Sequence, residues 1–204
     1  MFNYEHLALL GSCYPIKFKL DNADDITTKS DEKFEYVRYN PRKNVDRWGL
    51  SLTSLDGGMS GIPDLDSLRE YNIENDTSHD EIDFNIPTPA YNDFKEVLDP
   101  FAPWLFRTHI LKLNSGGYFP PHRDLNGLKS FRLIVPLKNC KAPNVNFILE
   151  DKILNFEEGT MYFVDTVKMH YIFNANLDPS YWLILNVEST KEAIKKVFLN
   201  LMYT

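Results

Sequence analysis

The chain has 204 residues, 22 basic against 29 acidic side chains, a formal net charge of −7, and a hydrophobic fraction of 43% with 14% aromatics. That many large apolar side chains exclude general disorder and supply one sizeable core. The acidic balance argues against an extended nucleic-acid interface, and no apolar run nears the roughly 20 residues that span a bilayer.

The start, MFNYEHLALLGS, carries Glu5 and His6 in its apolar patch and lacks a basic lead-in, so no signal peptide is expected. Cys13 and Cys140 fit no metal spacing; two incidental thiols suit a reduced, cytoplasmic protein. Residues 33–40 (KFEYVRYN) and 47–55 (RWGLSLTSL) alternate as strands do, and 57–64 (GGMSGIPD) reads as a loop. The acidic stretch 74–87 is expected as an exposed loop. Thr88 and Pro89 then resemble a helix start, with the helix running through YNDFKEVL and stopping ahead of Pro100.

From residue 105 the character changes. LFRTHILKLN (105–114), FRLIVPLKN (131–139), NVNFILED (144–151), TMYFVDTV (160–167), HYIFNA (170–175) and YWLILNVE (181–188) are short, β-branched or aromatic, and separated by turn residues. Strands at this spacing with no helix between them predict an antiparallel sandwich or barrel. Ser189-Thr190-Lys191-Glu192 fits a capping box, and Ala193, Ile194, Val197, Phe198 and Leu201 recur at helical spacing, predicting a closing amphipathic helix. The expected organisation is one domain over 1–204: a helical and loop-rich part (1–104), a β core (105–188) and a C-terminal helix (189–204). The fold class is mainly β with flanking helices.

The chemistry centres on His122-Arg123-Asp124. In an extended segment residues two apart share a face, so His122 and Asp124 can offer a nitrogen and an oxygen to one point. His170 opens a later strand. Two imidazoles and one carboxylate make the facial triad of non-haem Fe(II) oxygenases, which leaves open positions on the metal. A bare H-x-D is more often an ordinary surface pair than a ligand set. Context singles this one out: it follows SGGYFPP and precedes Arg132 on an apolar strand, a Glu-Glu-Gly turn at 157–159 and then His170.

The stretch RTHILKLNSGGYFPPHRD…FRLIVPLKN…FEEGTMYFVDTVKMHYIFN…YWLILNV resembles the aspartyl/asparaginyl β-hydroxylase-like family, which includes bacterial proline hydroxylases. The resemblance implies a double-stranded β-helix (jelly-roll, cupin-like) core over 105–188, with 1–104 as a substrate cover. It implies Fe(II) as cofactor, held by His122, Asp124 and His170, with 2-oxoglutarate and O₂ as co-substrates. Oxidative decarboxylation to succinate would accompany hydroxylation of an amino acid, or of an Asp, Asn or Pro side chain in a peptide. Arg132 matches a family arginine that binds the acidic co-substrate or substrate. The partner is then a small molecule or peptide, with neither nucleic acid nor membrane expected. A non-catalytic cupin-like module, or a pseudo-enzyme without 2-oxoglutarate turnover, is the alternative.

The chain departs from that pattern at Ser180, where relatives carry the arginine for the far carboxylate of 2-oxoglutarate, and at Ile134, where many carry histidine. Arg132 is the first candidate to replace the missing cation, with Arg107 or His109 in reserve and Lys138 or Lys168 as further options. Arg47 could reach over the pocket mouth toward a substrate carboxylate, or be an ordinary paired arginine. Tyr118 and Phe119 either line the site or pack. Trp48, Trp104 and Trp182 are expected in the core, and Asp165, five residues before His170, faces away from it.

Overall fold

The computed structural model describes residues 3–124 and 129–202; the last two residues of the expected C-terminal segment lie outside them. In chain order the strands are β1 (Cys13–Lys19), β2 (Val37–Arg38), β3 (Trp48–Ser51), β4 (Thr53–Ser54), β5 (Ile86–Pro87), β6 (Leu105–Leu113), β7 (Tyr118–His122), β8 (Ser130–Lys138), β9 (Val145–Leu149), β10 (Lys152–Leu154), β11 (Thr160–Val164), β12 (His170–Asn174) and β13 (Ser180–Glu188). The helices are α1 (Tyr4–Ala8), α2 (Ala23–Lys33), α3 (Leu68–Asn75), α4 (Lys95–Leu98) and α5 (Lys191–Leu199).

Strands β6 to β13 wind between two facing antiparallel sheets, as a jelly roll does. The larger sheet has the order β1-β11-β8-β13-β6-β3-β2, the smaller β10-β9-β12-β7, and β4 pairs with β5. The larger sheet is covered on both sides. Leu133, Val135, Leu183, Leu185 and Val187 face a layer containing Phe94, Val97, Leu98, Phe101, Ile194 and Val197. Ile134 and Trp182 point the other way, onto Phe147, Leu149 and Ile172 of the smaller sheet. Double coverage explains why β8 and β13 read as nearly continuous apolar runs, whereas β9 and β12 alternate.

The first hundred residues are built into this sandwich: β1 extends one edge of the larger sheet and β3 and β2 the other. The sequence signal was weakest here. Of 33–40 only Val37–Arg38 is strand, because Lys33 ends α2 and Phe34 caps it. Helix α2 escapes hydrophobic periodicity because its buried face is Ala23, Thr27 and Ser30, small or polar side chains. The expected loop at 74–87 instead contains the end of α3, a 3₁₀ turn (Glu81–Asp83), the fully buried Phe84 and β5. The expected helix after Thr88 is a 3₁₀ turn (Pro89–Phe94), then α4, then a second 3₁₀ turn (Asp99–Trp104) that continues past Pro100. Thr88 does not cap it, because its hydroxyl donates to the Ser51 carbonyl at 2.8 Å. At α5 the cap sits one residue later than the capping box implies: Thr190 Oγ1 accepts from the Ala193 amide at 3.1 Å.

The Glu-Glu-Gly turn depends on its glycine. Gly159 has φ +82°, and a Cβ there would strike the Leu20 carbonyl oxygen, which is backbone and has little freedom to move. The Gly159 carbonyl also accepts from the Leu20 amide at 2.8 Å, fastening the segment after β1 to the start of β11. Gly159→Ala is therefore expected to cost at least about 2 kcal/mol, adding a clash to the left-handed penalty. Urea unfolding checks this; a change within about 0.5 kcal/mol would mean the backbone relaxes freely.

Candidate metal centre

His122 is the last residue of β7 and His170 the first of β12, and the two are paired across the antiparallel ladder. Their rings are 4.1 Å apart, inclined at 51°. Strand β7 is an edge strand, which accommodates Pro120 and Pro121 because a missing N–H costs an edge little. The Gly116-Gly117 turn before it needs its first glycine for φ +75°, while a Cβ on Gly117 would press on the Asp46 and Asn114 carbonyls. Asp124 leaves the strand and is pinned by its own amide, which donates to the Thr166 carbonyl at 2.9 Å. One donor atom from each of His122, Asp124 and His170 lies within 4.8 Å of the others.

The tautomers follow from the backbone. His122 Nδ1 donates to the Pro120 carbonyl at 2.8 Å and His170 Nδ1 to the Lys168 carbonyl at 3.0 Å. Each Nε2 therefore carries its lone pair toward Asp124, in the way second partners orient metal-binding histidines. Burial, then the neighbouring His122, lowers the pKa of His170. At Asp124 burial pushes upward but is outweighed by Arg132, His170, Thr166 and His122, which hold the carboxyl below its usual range. Two imidazoles with their Nδ1 atoms occupied by backbone carbonyls, and a carboxylate held ready to ligate, fit a borderline divalent cation, including Fe(II).

The triad opens onto a cavity of about 200 Å³ between the sheets, lined among others by Tyr39, His109, Phe119, Ile134, Phe147, Ile184 and Asn186. Arg132 crosses from the larger sheet with Nε 3.2 Å from Asp124 Oδ2 and Nη1 donating to Ser130 Oγ at 2.9 Å. Arg107 also lines the cavity. It occupies a bulge with φ +44°, where β6 spends two residues, Arg107 and Thr108, between the His109–Ile184 and Phe106–Asn186 pairs and β13 spends only Leu185. Its guanidinium is committed to Glu81 (2.6 Å) and to the carbonyls of Asp64 (2.7 Å) and Asp66 (2.6 Å).

The remaining candidates are placed elsewhere. Ser180 is fully buried at the start of β13, accepts from the Trp182 indole at 3.3 Å, and is not among the cavity-lining residues. Lys138 pairs with Asp24 at 2.7 Å, and Lys168 with Ser12 and Glu150, so neither reaches the cavity. Tyr118 is exposed, whereas Phe119 lines the site. Trp182 is in the core, and Trp48 and Trp104 pack partly buried against it. Asp165 is held away by the Tyr4 hydroxyl at 2.5 Å. Sequence reasoning missed Tyr39, Glu81, Thr166 and Asn186. Tyr39 and Glu81 reach the cavity only through long-range packing of the first hundred residues, which leaves no local signal.

His109 provides a pH test of the cavity wall. Burial drives its imidazole down to about 4, and its Nδ1 donates to the Arg107 carbonyl at 3.0 Å. The unfolded chain, with a histidine near 6.5, takes up a proton that the folded chain refuses until about pH 4. This contribution is intact above pH 6.5 and is lost as pH falls toward 4. Asp64, raised by burial to about 6, works in the opposite direction. The comparison is therefore wild type against His109→Gln, with Asp64 common to both. Between pH 7 and 4.5 the wild type should lose on the order of 1–3 kcal/mol more than the variant in urea titrations. Parallel stability curves would contradict a neutral buried His109.

No protein-family profile matches the chain, and no curated protein does. Solved structures do. HygX from Streptomyces hygroscopicus, solved with nickel, 2-oxoglutarate and hygromycin B bound, superposes with a TM-score of 0.56 at 9% identity, covering 93% of this chain and 88% of that one. An oxidoreductase of the 2OG-Fe(II) oxygenase family from Burkholderia pseudomallei gives 0.51 at 9% identity, over 92% and 90%. A prolyl-4-hydroxylase from Pseudomonas putida gives 0.50 at 11%, over 89% and 95%. Likeness at this level of identity concerns the fold: the chain shares the mainly antiparallel jelly roll of these structures.

Proposed function

We propose that this protein is an Fe(II)- and 2-oxoglutarate-dependent oxygenase that hydroxylates an amino acid or an Asp, Asn or Pro side chain of a peptide or protein. The observation that carries this reading is the convergence of His122, Asp124 and His170, with both Nδ1 atoms satisfied by their own backbone, at the rim of an interior cavity. The expected resemblance to the aspartyl/asparaginyl β-hydroxylase-like family belongs to the same proposal.

Bound Fe(II) supplies the coupling between 2-oxo acid decarboxylation and C–H oxidation. The chain's own residues bind and orient. His122, Asp124 and His170 would hold the ion through two imidazole nitrogens and a carboxylate oxygen. Arg132, beside Asp124, fixes that carboxylate and adds positive charge at the rim, where an acid would approach. Phe119, Phe147, Ile134 and Ile184 make the inner wall apolar, which excludes water from a site where stray oxidation would be destructive. Tyr39 and Glu81, from the first hundred residues, complete the lining, consistent with that region meeting the substrate.

Purified protein supplied with Fe(II), ascorbate and 2-oxoglutarate should release succinate, and faster with an amino acid or peptide that it hydroxylates. Absence of succinate across such a panel, with no visible absorption band from Fe(II) and 2-oxoglutarate under argon, would refute the reading. Binding of both without succinate would instead assign a cupin-like binding module.

A further inference from the structure

The turn between β11 and β12, residues 165–168, touches two of the three candidate metal ligands. The Thr166 carbonyl accepts from the Asp124 amide at 2.9 Å, and the Thr166 side chain hydrogen-bonds the Asp124 carboxylate. The Lys168 carbonyl accepts from His170 Nδ1 at 3.0 Å. One short turn therefore places the Asp124 carboxylate and sets the orientation of the His170 ring. These contacts lie outside the strand ladders, so the conformation of the turn itself decides both.

That conformation is held by the segment leading into β1. The ladder of β1 with β11 ends at Cys13 and Val164, and just beyond it the Ser12 carbonyl accepts from the Asp165 amide at 2.9 Å. Ser12 Oγ accepts from Lys168 Nζ at 2.9 Å. From α1, the Tyr4 hydroxyl donates to Asp165 Oδ1 at 2.5 Å. Burial, then the bond to Asp165, pushes the Tyr4 pKa up, so this hydroxyl keeps its proton. Asp165 is 4% exposed, and Tyr4 is the one side-chain partner of its carboxylate among the described residues. Without that donor the carboxylate must turn toward water. The Lys168 amide donates to the Asp165 carbonyl at 3.1 Å, so a shift at Asp165 passes through the whole turn.

We infer that Tyr4 and Thr166 are positioning residues of the metal centre. Tyr4, through Asp165, holds the turn in the shape in which Thr166 and Lys168 fix Asp124 and His170. This rests on the metal-binding part of the functional reading and not on its 2-oxo acid chemistry. Partners standing behind metal ligands typically change metal affinity by about 10- to 100-fold when removed.

The test is Mn(II) affinity of the full chain, read by electron paramagnetic resonance of free Mn(II), beside urea unfolding of the metal-free protein. Tyr4→Phe, which removes only the hydroxyl, should weaken Mn(II) binding about three- to tenfold. Thr166→Val should weaken it about tenfold, and Thr166→Ser, which restores the hydroxyl, should return it to within about twofold of wild type. Asp165→Asn keeps an acceptor for the Tyr4 hydroxyl and should leave the affinity unchanged. Val197→Ala, which cuts the fully buried face of α5, should lower stability without moving Mn(II) affinity. Because Tyr4 acts through the turn, the Tyr4→Phe/Thr166→Val double variant should lose less than the product of the two single losses. Wild-type affinity in Tyr4→Phe, single losses that multiply, or an equal loss in Val197→Ala overturns the role of Tyr4. Equal losses in Thr166→Val and Thr166→Ser, or none in either, overturn that of Thr166. All of these leave the metal centre standing, whereas a wild type that binds no Mn(II) overturns both.

Discussion

His122→Ala should lose Mn(II) binding by at least about 100-fold while the protein stays folded. His122 is half-exposed at the end of an edge strand, so truncating it removes little packing. It does remove one of three donor atoms that lie within 4.8 Å, leaving an imidazole and a carboxylate that cannot define a facial site. His170→Ala should have the same effect on metal with a larger effect on stability, because His170 is buried and stacks on Phe147 at 5.9 Å. Asp165→Asn is the control. That carboxylate lies five residues before His170 but is bound to Tyr4, so Mn(II) affinity should not move even if stability drops. Electron paramagnetic resonance of free Mn(II) reads all three variants. Undiminished binding in His122→Ala, or loss in Asp165→Asn, would place the metal elsewhere.

The second large effect is on stability. Trp182→Ala should cost about 3–5 kcal/mol, and on the order of 10 °C in midpoint temperature for a chain of this length. Trp182 is fully buried between the sheets, where its ring meets Phe147 at 5.8 Å and Phe156 at 5.6 Å. Its indole N–H donates to Ser180 Oγ, so the variant strips that buried hydroxyl of a partner as well as opening a void. Trp182→Phe should cost less than half as much, since it keeps most of the ring volume. Equal losses for the two variants, read by urea unfolding, would show that the hydrogen bond rather than the packing dominates.

The strands from residue 105 onward were legible because their burial is uniform. Each lies in a sheet with at least one covered face, so β-branched and aromatic residues concentrate there and the turns between them stand out. The exceptions are instructive. Strand β7 holds two prolines and looks like a loop until the sheet order shows that it is an edge. Helix α2 buries small and polar side chains, so periodicity gave no sign of it. Strand β1, also at an edge with Pro15 inside it, is identified only by its ladder to β11.

By itself the sequence determined an antiparallel sandwich or barrel and the H-x-D with a later histidine as the candidate metal set; the jelly roll and the missing arginine at Ser180 followed from the resemblance to the β-hydroxylase-like family. The strands and the H-x-D are local features, each set by residue type and spacing within one strand or turn. Which cation faces the cavity was decided only by tertiary structure. Arg132, Arg107, Arg47, Lys138 and Lys168 are alike as letters. Their roles separate through the partners that the fold brings to them: Asp124, Glu81, Asp24 and Glu150 for four, and for Arg47 two aromatic rings and no acid among the described residues. Charge pairing across long sequence separations depends on the folded geometry, and composition does not encode it.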